Sequence, residues 1–90
     1  LKLVDPAADL AICMAIASAA AGRKIDDSVV VFGEVGLGGE VRSASNVQKR
    51  IDEAKKLGFT RAIAPASRNK NAFVTGVKDL RQALIDYLKN

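Results

Sequence analysis

Histidine and tryptophan are absent from this 90-residue chain, and Cys13 is its single cysteine. One cysteine cannot form an internal disulfide, and without histidine or more cysteines the chain cannot build a zinc cluster. We therefore expect no metal site. Because Cys13 lies within an apolar stretch, we interpret it as a small buried side chain rather than a reactive thiol. This use of cysteine fits a reducing, cytoplasmic environment.

Long hydrophobic runs are also missing. The longest covers residues 10–17, far below the roughly 20 residues that a membrane-spanning helix needs. A secretory signal is not expected either, because Asp5 and Asp9 stand on the upstream side, where a signal would carry basic residues. With 49% hydrophobic and 27% charged residues, the composition predicts one globular domain over residues 1–90.

Aromatic residues and excess charge are both scarce. Three phenylalanines and one tyrosine offer no evident platform for stacking bases, and a net charge of +4 permits contact with nucleic acid without demanding it. We expect any contact with DNA to be weak, non-specific and made to phosphates. The candidate residues are Arg42, Arg68 and Lys70. Basic residues on the helix after Ser45 alternate with acids, which is typical of a solvated face.

The hydrophobic periodicity predicts an α+β domain. Asp5 and Pro6 form a helix-start signal, and the helix that follows is apolar nearly all round, so we expect it to be buried on most sides. Ser45 and Gln48 have the spacing of a capping box at the start of a second helix. The predicted elements are a helix to Gly22, strands at 29–37 and 40–42 around a two-residue turn at 38–39, a helix at 45–57, strands at 61–65 and 73–75, and a helix at 77–88.

The glycines at positions 33, 36, 38 and 39 leave two interpretations open. A glycine-rich loop can bind phosphate, but the segment lacks the pattern G-x-x-x-x-G-K-[ST], and no helix follows it directly. Adjacent glycines are themselves a turn signal between strands. The pattern therefore favours a β-hairpin over a nucleotide-binding loop.

Four stretches carry a resemblance to a known family. They closely resemble the C-terminal part of the bacterial RadA family of DNA repair proteins, which is itself similar to the proteolytic domain of Lon. The resemblance implies a Lon-protease-like fold, also called ribosomal protein S5 domain 2-like, with helices packed against a mixed sheet. It also implies one or more strands before the first helix, of which only residues 1–4 would remain here. The stretches are residues 5–11, 33–42, 46–54 and 57–65.

The Lon pattern places the two catalytic positions on residues that cannot perform the reaction. Lon proteases carry G-P-S-A-G, matched here by residues 5–9, so that Ala7 stands at the position of the nucleophilic serine. The position of the general-base lysine is occupied by Arg50. A methyl group cannot attack a carbonyl, and a guanidinium keeps its proton in proteins. The resemblance therefore implies a domain without peptidase activity.

Arg50 is expected to border the core. It lies three residues from Val47 and four from Ala54 on the apolar face of its helix, where a guanidinium is costly unless it is paired. We therefore expect an ion pair between Arg50 and either Asp9 or Glu34. The alternative is an Arg50 side chain that reaches solvent while its stem covers Val47.

The resemblance also implies a role and partners. It implies a scaffold or oligomerisation domain, in contact with DNA, of a RecA-like ATPase that forms hexameric rings and acts on branched DNA in recombinational repair. ATP, magnesium and zinc would then belong to upstream domains, and no cofactor is expected here. The expected partners are further copies of the chain and DNA, with no membrane. An active Ser-Lys peptidase and a small nucleotide-binding α/β module are the alternatives.

Overall fold

A computed structural model describes residues 6–43, 45–68 and 71–87. Helices and strands are interspersed along these residues, in agreement with the predicted α+β class. The elements are a short 3₁₀ helix at Pro6–Ala8, α1 at Asp9–Ala21, β1 at Val29–Val31, β2 at Glu34–Val35, β3 at Val41–Arg42, α2 at Val47–Lys56, β4 at Arg61–Pro65, β5 at Val74–Val77 and α3 at Leu80–Tyr87.

The strands form a parallel sheet and a separate antiparallel hairpin. The parallel sheet has the order β1-β4-β5, with Val30 opposite Ala62 and Ala62 opposite Val74. The central strand β4 is flanked on both sides, and its residues Ala62, Ile63 and Ala64 are all buried. A strand covered on both faces carries a continuous apolar run, which explains why this segment was predictable.

The core divides between the two faces of this sheet. Ala62 and Ala64 pack with Ile51 of α2 on one face, whereas Ile63 packs with Met14 of α1 and Ala83 of α3 on the other. Successive side chains of a strand point to opposite faces, so the alternation along β4 separates α2 from α1 and α3. The helices therefore cover the sheet on both sides, whereas the family resemblance had implied only that helices pack against it.

The long strand predicted over residues 29–37 is interrupted. Gly33, with φ 154°, separates β1 from β2, and the two strands join different sheets. The hairpin between β2 and β3 is confirmed, but its turn lies one residue earlier than predicted. The Gly39 N–H donates to the Gly36 carbonyl over 2.9 Å, and Gly39 has φ 86°, as in a three-residue loop that ends in a left-handed residue.

Helix α1 ends as predicted, but it is less buried than expected. Gly22 adopts the left-handed conformation after Ala21 and caps the helix. Leu10 and Met14 are buried, whereas Ile12 and Ile16 are 50% and 66% exposed. The prediction of burial on most sides was wrong because only one side of this uniformly apolar helix faces the sheet.

Within the part of the chain that the structure describes, no helix is both long and apolar enough to cross a membrane.

The capping box was predicted at the wrong helix. Helix α2 begins at Val47 after Asn46, without a side-chain cap, and Gln48 instead donates to Asp52. A related arrangement occurs at α3. The Gln82 N–H donates to the Asp79 carboxylate over 2.7 Å, and the Gln82 side chain accepts over 3.0 Å from the N–H of Lys78, the residue before the cap. Helix α3 begins at Leu80 rather than residue 77 because Val77 belongs to β5.

Candidate functional site

The candidate site is a cavity of about 540 Å³. It lies between the 3₁₀ helix, the start of α1, strand β1 and helix α2. Apolar side chains make up most of its wall, and three charged side chains of α2 stand beside them. The lining residues are Ala7, Ala8, Ala11, Val30, Val31, Phe32, Asn46, Lys49, Arg50, Glu53, Ala54, Leu57 and Phe59.

Backbone hydrogen bonds fix the wall that Ala7 contributes. The Gly33 N–H donates to the Ala7 carbonyl over 2.7 Å, and the Leu10 N–H donates to the Gly33 carbonyl over 3.0 Å. These bonds attach the 3₁₀ helix and the first turn of α1 to the end of β1. A Cβ at Gly33 would approach Val41 Cγ1 to 3.1 Å, so the junction requires glycine for space as well as for its φ angle. Ala7 is consequently held in the core, with 3% of its surface exposed.

Arg50 reaches the same cavity from helix α2. Its side chain is partly buried, and its Nε–H donates to the Ser45 carbonyl over 2.8 Å. One carboxylate oxygen of Asp9 accepts from the Val35 N–H over 3.3 Å, and Glu34 lies opposite Arg42 in the hairpin. The ion pair of Arg50 with Asp9 or Glu34 stays a prediction.

The two positions that the sequence analysis matched to the Lon dyad therefore line one cavity. Ala7 and Arg50 both line it, and the acid that lines it with them is Glu53, which the sequence pattern did not single out. The lining residues that the structure describes include no serine, threonine or cysteine. Chemically the cavity can bind an apolar group beside charged side chains, but these lining residues supply no hydroxyl or thiol nucleophile.

Two of the three candidate DNA contacts lie near a second hollow of about 600 Å³. Arg68 is exposed and lines this hollow together with Ser43, the residue after Arg42. Arg42 Nη2 lies 2.9 Å from the carboxylate of Glu40, so its charge is already paired within its own hairpin. Lys70 lies outside the described residues.

A longer basic segment escaped the sequence analysis. Residues 54–78 contain no acid. The side chain of Lys55 lies over the ring of Phe73, with Nζ 5.3 Å from the ring centroid. The absence of acids from this segment could have been read from the sequence. Basic residues without neighbouring acids add up to a positive electrostatic potential along the segment. Its basic residues are Lys55, Lys56, Arg61, Arg68, Lys70 and Lys78.

The hairpin that carries Arg42 is internally braced. The Glu40 carboxylate accepts hydrogen bonds from the Gly38 N–H over 3.1 Å and from the Arg42 guanidinium over 2.9 Å. Hydrogen bonds from its own backbone N–H and from Arg42 hold the pKa of the Glu40 carboxyl below its usual range. Any Cβ at Gly36 would collide with this carboxylate, so glycine at that position makes the brace sterically feasible.

Comparison with known proteins gives both a family and a set of longer relatives. A family model described as subunit ChlI of Mg-chelatase matches residues 2–68. DNA repair protein RadA of Salmonella typhimurium is 44% identical over 88 residues, which cover 92% of this chain and 19% of the relative. RadA of Escherichia coli is 43% identical over 88 residues, with the same coverage of both chains. RadA of Chlamydia pneumoniae is 38% identical over 92 residues, covering 93% of this chain and 20% of the relative.

The fold and the cavity define a small α/β domain whose sheet is covered by helices on both faces. Because the matching family model spans most of its length, the chain belongs to the family of the ChlI subunit of Mg-chelatase. The expected resemblance to RadA is confirmed at the level of relatives that carry that name. The chain spans about a fifth of the length of these curated relatives.

Proposed function

We propose that this chain is a catalytically inactive, Lon-like scaffold domain that also contacts DNA within a DNA repair protein of the RadA kind. The observation that carries the proposal is that Ala7 and Arg50 line one cavity. The two residues are distant in sequence but line the same cavity, and neither side chain can act as nucleophile or base. The names of the relatives support the repair context.

The proposal extends to the longer protein. We infer a cytoplasmic, ring-forming, RecA-like ATPase that acts on branched DNA, in which upstream domains bind ATP, magnesium and zinc. The match of this chain to about a fifth of each relative supports the idea that such activities belong to other parts of the protein. In this scheme the 90-residue domain supplies ring geometry and a path for phosphates.

Two alternatives are less well supported. A nucleotide-binding module would need its glycine-rich segment to form a phosphate loop, whereas residues 34–42 form a hairpin tied by the Gly36 N–H to the Glu40 carbonyl over 2.8 Å. An active Ser-Lys peptidase would need a hydroxyl at position 7 and a neutral amine at position 50. The hairpin and the buried Ala7 therefore favour the scaffold.

A peptidase assay tests the central claim. The purified chain is incubated with fluorescent casein and with short peptides, with and without ATP, and we expect no hydrolysis above buffer. The matched comparator is Ala7→Ser/Arg50→Lys, which supplies the two groups that Lon requires at positions that share the cavity. Hydrolysis by the unmodified chain that persists through repurification and is lost on blocking the cavity with Ala11→Trp would overturn the proposal.

A further inference from the structure

The hollow beside Arg68 differs in charge from the cavity that Ala7 and Arg50 share. It opens between the first turn of α2, the end of β4 and the start of β5. Its described lining contains one basic residue, Arg68, and no acid, whereas the cavity beside β1 has Glu53 in its wall. The hollow therefore suits a ligand that carries negative charge, while the cavity presents charges of both signs.

The floor of this hollow is apolar and belongs to the core. Ile51 and Ala64 are buried in it, and Val74 packs against the core cluster that contains them both. Val47, which is 36% exposed, and the partly buried Pro65 extend the apolar surface outwards. Apolar side chains held in this way can contact the face of a planar ring, as in sites that accept a nucleobase outside its stack.

Polar side chains stand at the rim of the floor. The Asn71 carboxamide oxygen accepts from the Phe73 N–H over 2.8 Å, which orients the group and leaves its NH₂ end to donate. Arg68 is exposed and has no ion pair within the described part of the chain, whereas Arg42 is paired with Glu40. A guanidinium matches the geometry of a phosphate and can donate two hydrogen bonds to it.

We propose that this hollow binds one unpaired nucleotide of single-stranded DNA, with the base against the apolar floor and an adjoining phosphate on Arg68. Its volume of about 600 Å³ lies within the range of about 300–1,000 Å³ that is usual for ligand pockets. A base inside a duplex is stacked on both faces, so only an unpaired base can place a face against Val47. The inference rests on the proposed contact with DNA and specifies the form of DNA that makes it.

A strand without bases tests the contact with the floor. Binding of the 90-residue chain to fluorescent oligothymidylate is compared, by anisotropy, with binding to an abasic strand of the same length and charge. We expect the abasic strand to bind about fivefold more weakly, because an aliphatic floor contributes at the lower end of what stacked bases gain. Val47→Ala should abolish this difference by weakening only the oligothymidylate complex, whereas Arg68→Ala should weaken both complexes by the same factor.

The control is Ile85→Ala, which shortens a 56% exposed aliphatic side chain on α3, outside the hollow, and should change neither affinity. Equal affinity of the unmodified chain for the two strands, or a preference that survives Val47→Ala, would refute the base contact while leaving the proposed contact with phosphates intact. Free thymidylate that competes as well as the strand, per nucleotide, would assign the hollow to a free nucleotide and overturn the inference. A chain that binds neither strand at any concentration refutes the inference and the DNA contact together, but not the absence of peptidase activity.

Discussion

Ala7 and Arg50 line a single cavity, although one belongs to the short 3₁₀ helix and the other to helix α2. A hydrogen bond from the Gly33 N–H to the Ala7 carbonyl holds Ala7 on one side of the cavity. On the other side, a hydrogen bond from Arg50 Nε to the Ser45 carbonyl holds the Arg50 side chain. The first bond attaches the 3₁₀ helix to the residue that follows β1 by two positions, and the second ties Arg50 to the segment just before α2.

Replacing Arg50 should therefore reduce stability more than replacing a neighbouring base. Arg50→Ala removes a partly buried side chain with a hydrogen bond to the backbone, and we expect a loss of about 1–2 kcal/mol in the free energy of unfolding. The matched control is Lys49→Ala on the same helix, where the exposed side chain should change stability by less than about 0.5 kcal/mol. Urea unfolding monitored by circular dichroism measures both. Equal losses would mean that Arg50 behaves as an ordinary surface charge.

The predicted ion pair of Arg50 requires a second measurement. Asp9→Asn removes the carboxylate charge but keeps an oxygen that can accept from the Val35 N–H. In a double-mutant cycle with Arg50→Ala, an ion pair predicts a coupling energy above about 0.5 kcal/mol that falls as salt is added. The same cycle with Glu34→Gln tests the other partner. Additive effects in both cycles would contradict the pairing.

Alanine substitutions can distinguish the helix cap seen in the structure, Asp79 at α3, from the cap predicted from the sequence, Ser45 at α2. Asp79→Ala removes the acceptor for the Gln82 N–H and should destabilise the protein by about 1 kcal/mol. Asp86→Ala, an exposed position in the same helix, is the control and should be close to neutral. Ser45→Ala should be neutral as well, because the α2 N-terminus has no side-chain cap among the described contacts. A larger loss at Ser45 than at Asp79 would reverse the assignment.

The capping of α3, which the sequence analysis did not predict, shows where sequence reasoning failed. Ser45-x-x-Gln48 and Asp79-x-x-Gln82 have the same spacing, and local chemistry alone cannot choose between them. Asp79 can cap α3 only because the helix begins after it. Val77 pairs with Pro65 in the sheet, so β5 extends to Val77 and α3 begins at Leu80. Tertiary pairing decided this boundary, and a single sequence does not display it.

Other features were predictable because one local rule governed them. Gly22 ends α1 through its left-handed conformation, and the apolar run at residues 62–64 marks a strand that is buried on both faces. The sequence could not show which side of α1 is exposed. Apolar residues surround this helix, so their pattern does not indicate which side packs against the sheet. The family resemblance singled out Ala7, whereas finding Glu53 at the same cavity needed the three-dimensional position of α2.

The Glu40 brace should be visible in a pH titration. Because the folded pKa of Glu40 is lowered by its own N–H and by Arg42, its contribution to stability is present above the ordinary glutamate pKa of about 4.3. That contribution is lost as the pH falls through the lower, folded pKa. Arg42→Ala should raise the Glu40 pKa, as followed by carboxyl ¹³C shifts.

Asp26 supplies the internal control for that titration. The backbone N–H and the hydroxyl of Ser28 each donate to its carboxylate over 2.8 Å and lower its pKa independently of Arg42. Its titration should therefore be the same in the unmodified chain and in Arg42→Ala. A Glu40 midpoint that does not move, or an Asp26 midpoint that moves equally, would argue against the brace.

DNA binding is expected to depend more on Arg68 than on Arg42. Arg42 is paired with Glu40 at 2.9 Å, so part of its charge is compensated before any phosphate approaches. Arg68 belongs to the acid-free segment and is exposed. Each phosphate contact contributes about 0.9 to the slope of log affinity against log salt on duplex DNA. Losing the Arg68 contact should therefore reduce the slope by nearly that amount, and losing Arg42 by less.

Fluorescence anisotropy with duplex and branched DNA over a range of salt concentrations measures these slopes. Arg42→Ala/Arg68→Ala/Lys70→Ala should weaken binding most, and by the same factor on different sequences, because phosphates carry no sequence information. Arg81→Ala is the control, as it removes an exposed charge on α3, outside the acid-free segment. The assembled protein should show the larger effect, since several copies then contact one DNA and their phosphate contacts add. Binding that survives the triple substitution unchanged would place the DNA contact on another surface of the domain or on another part of the protein.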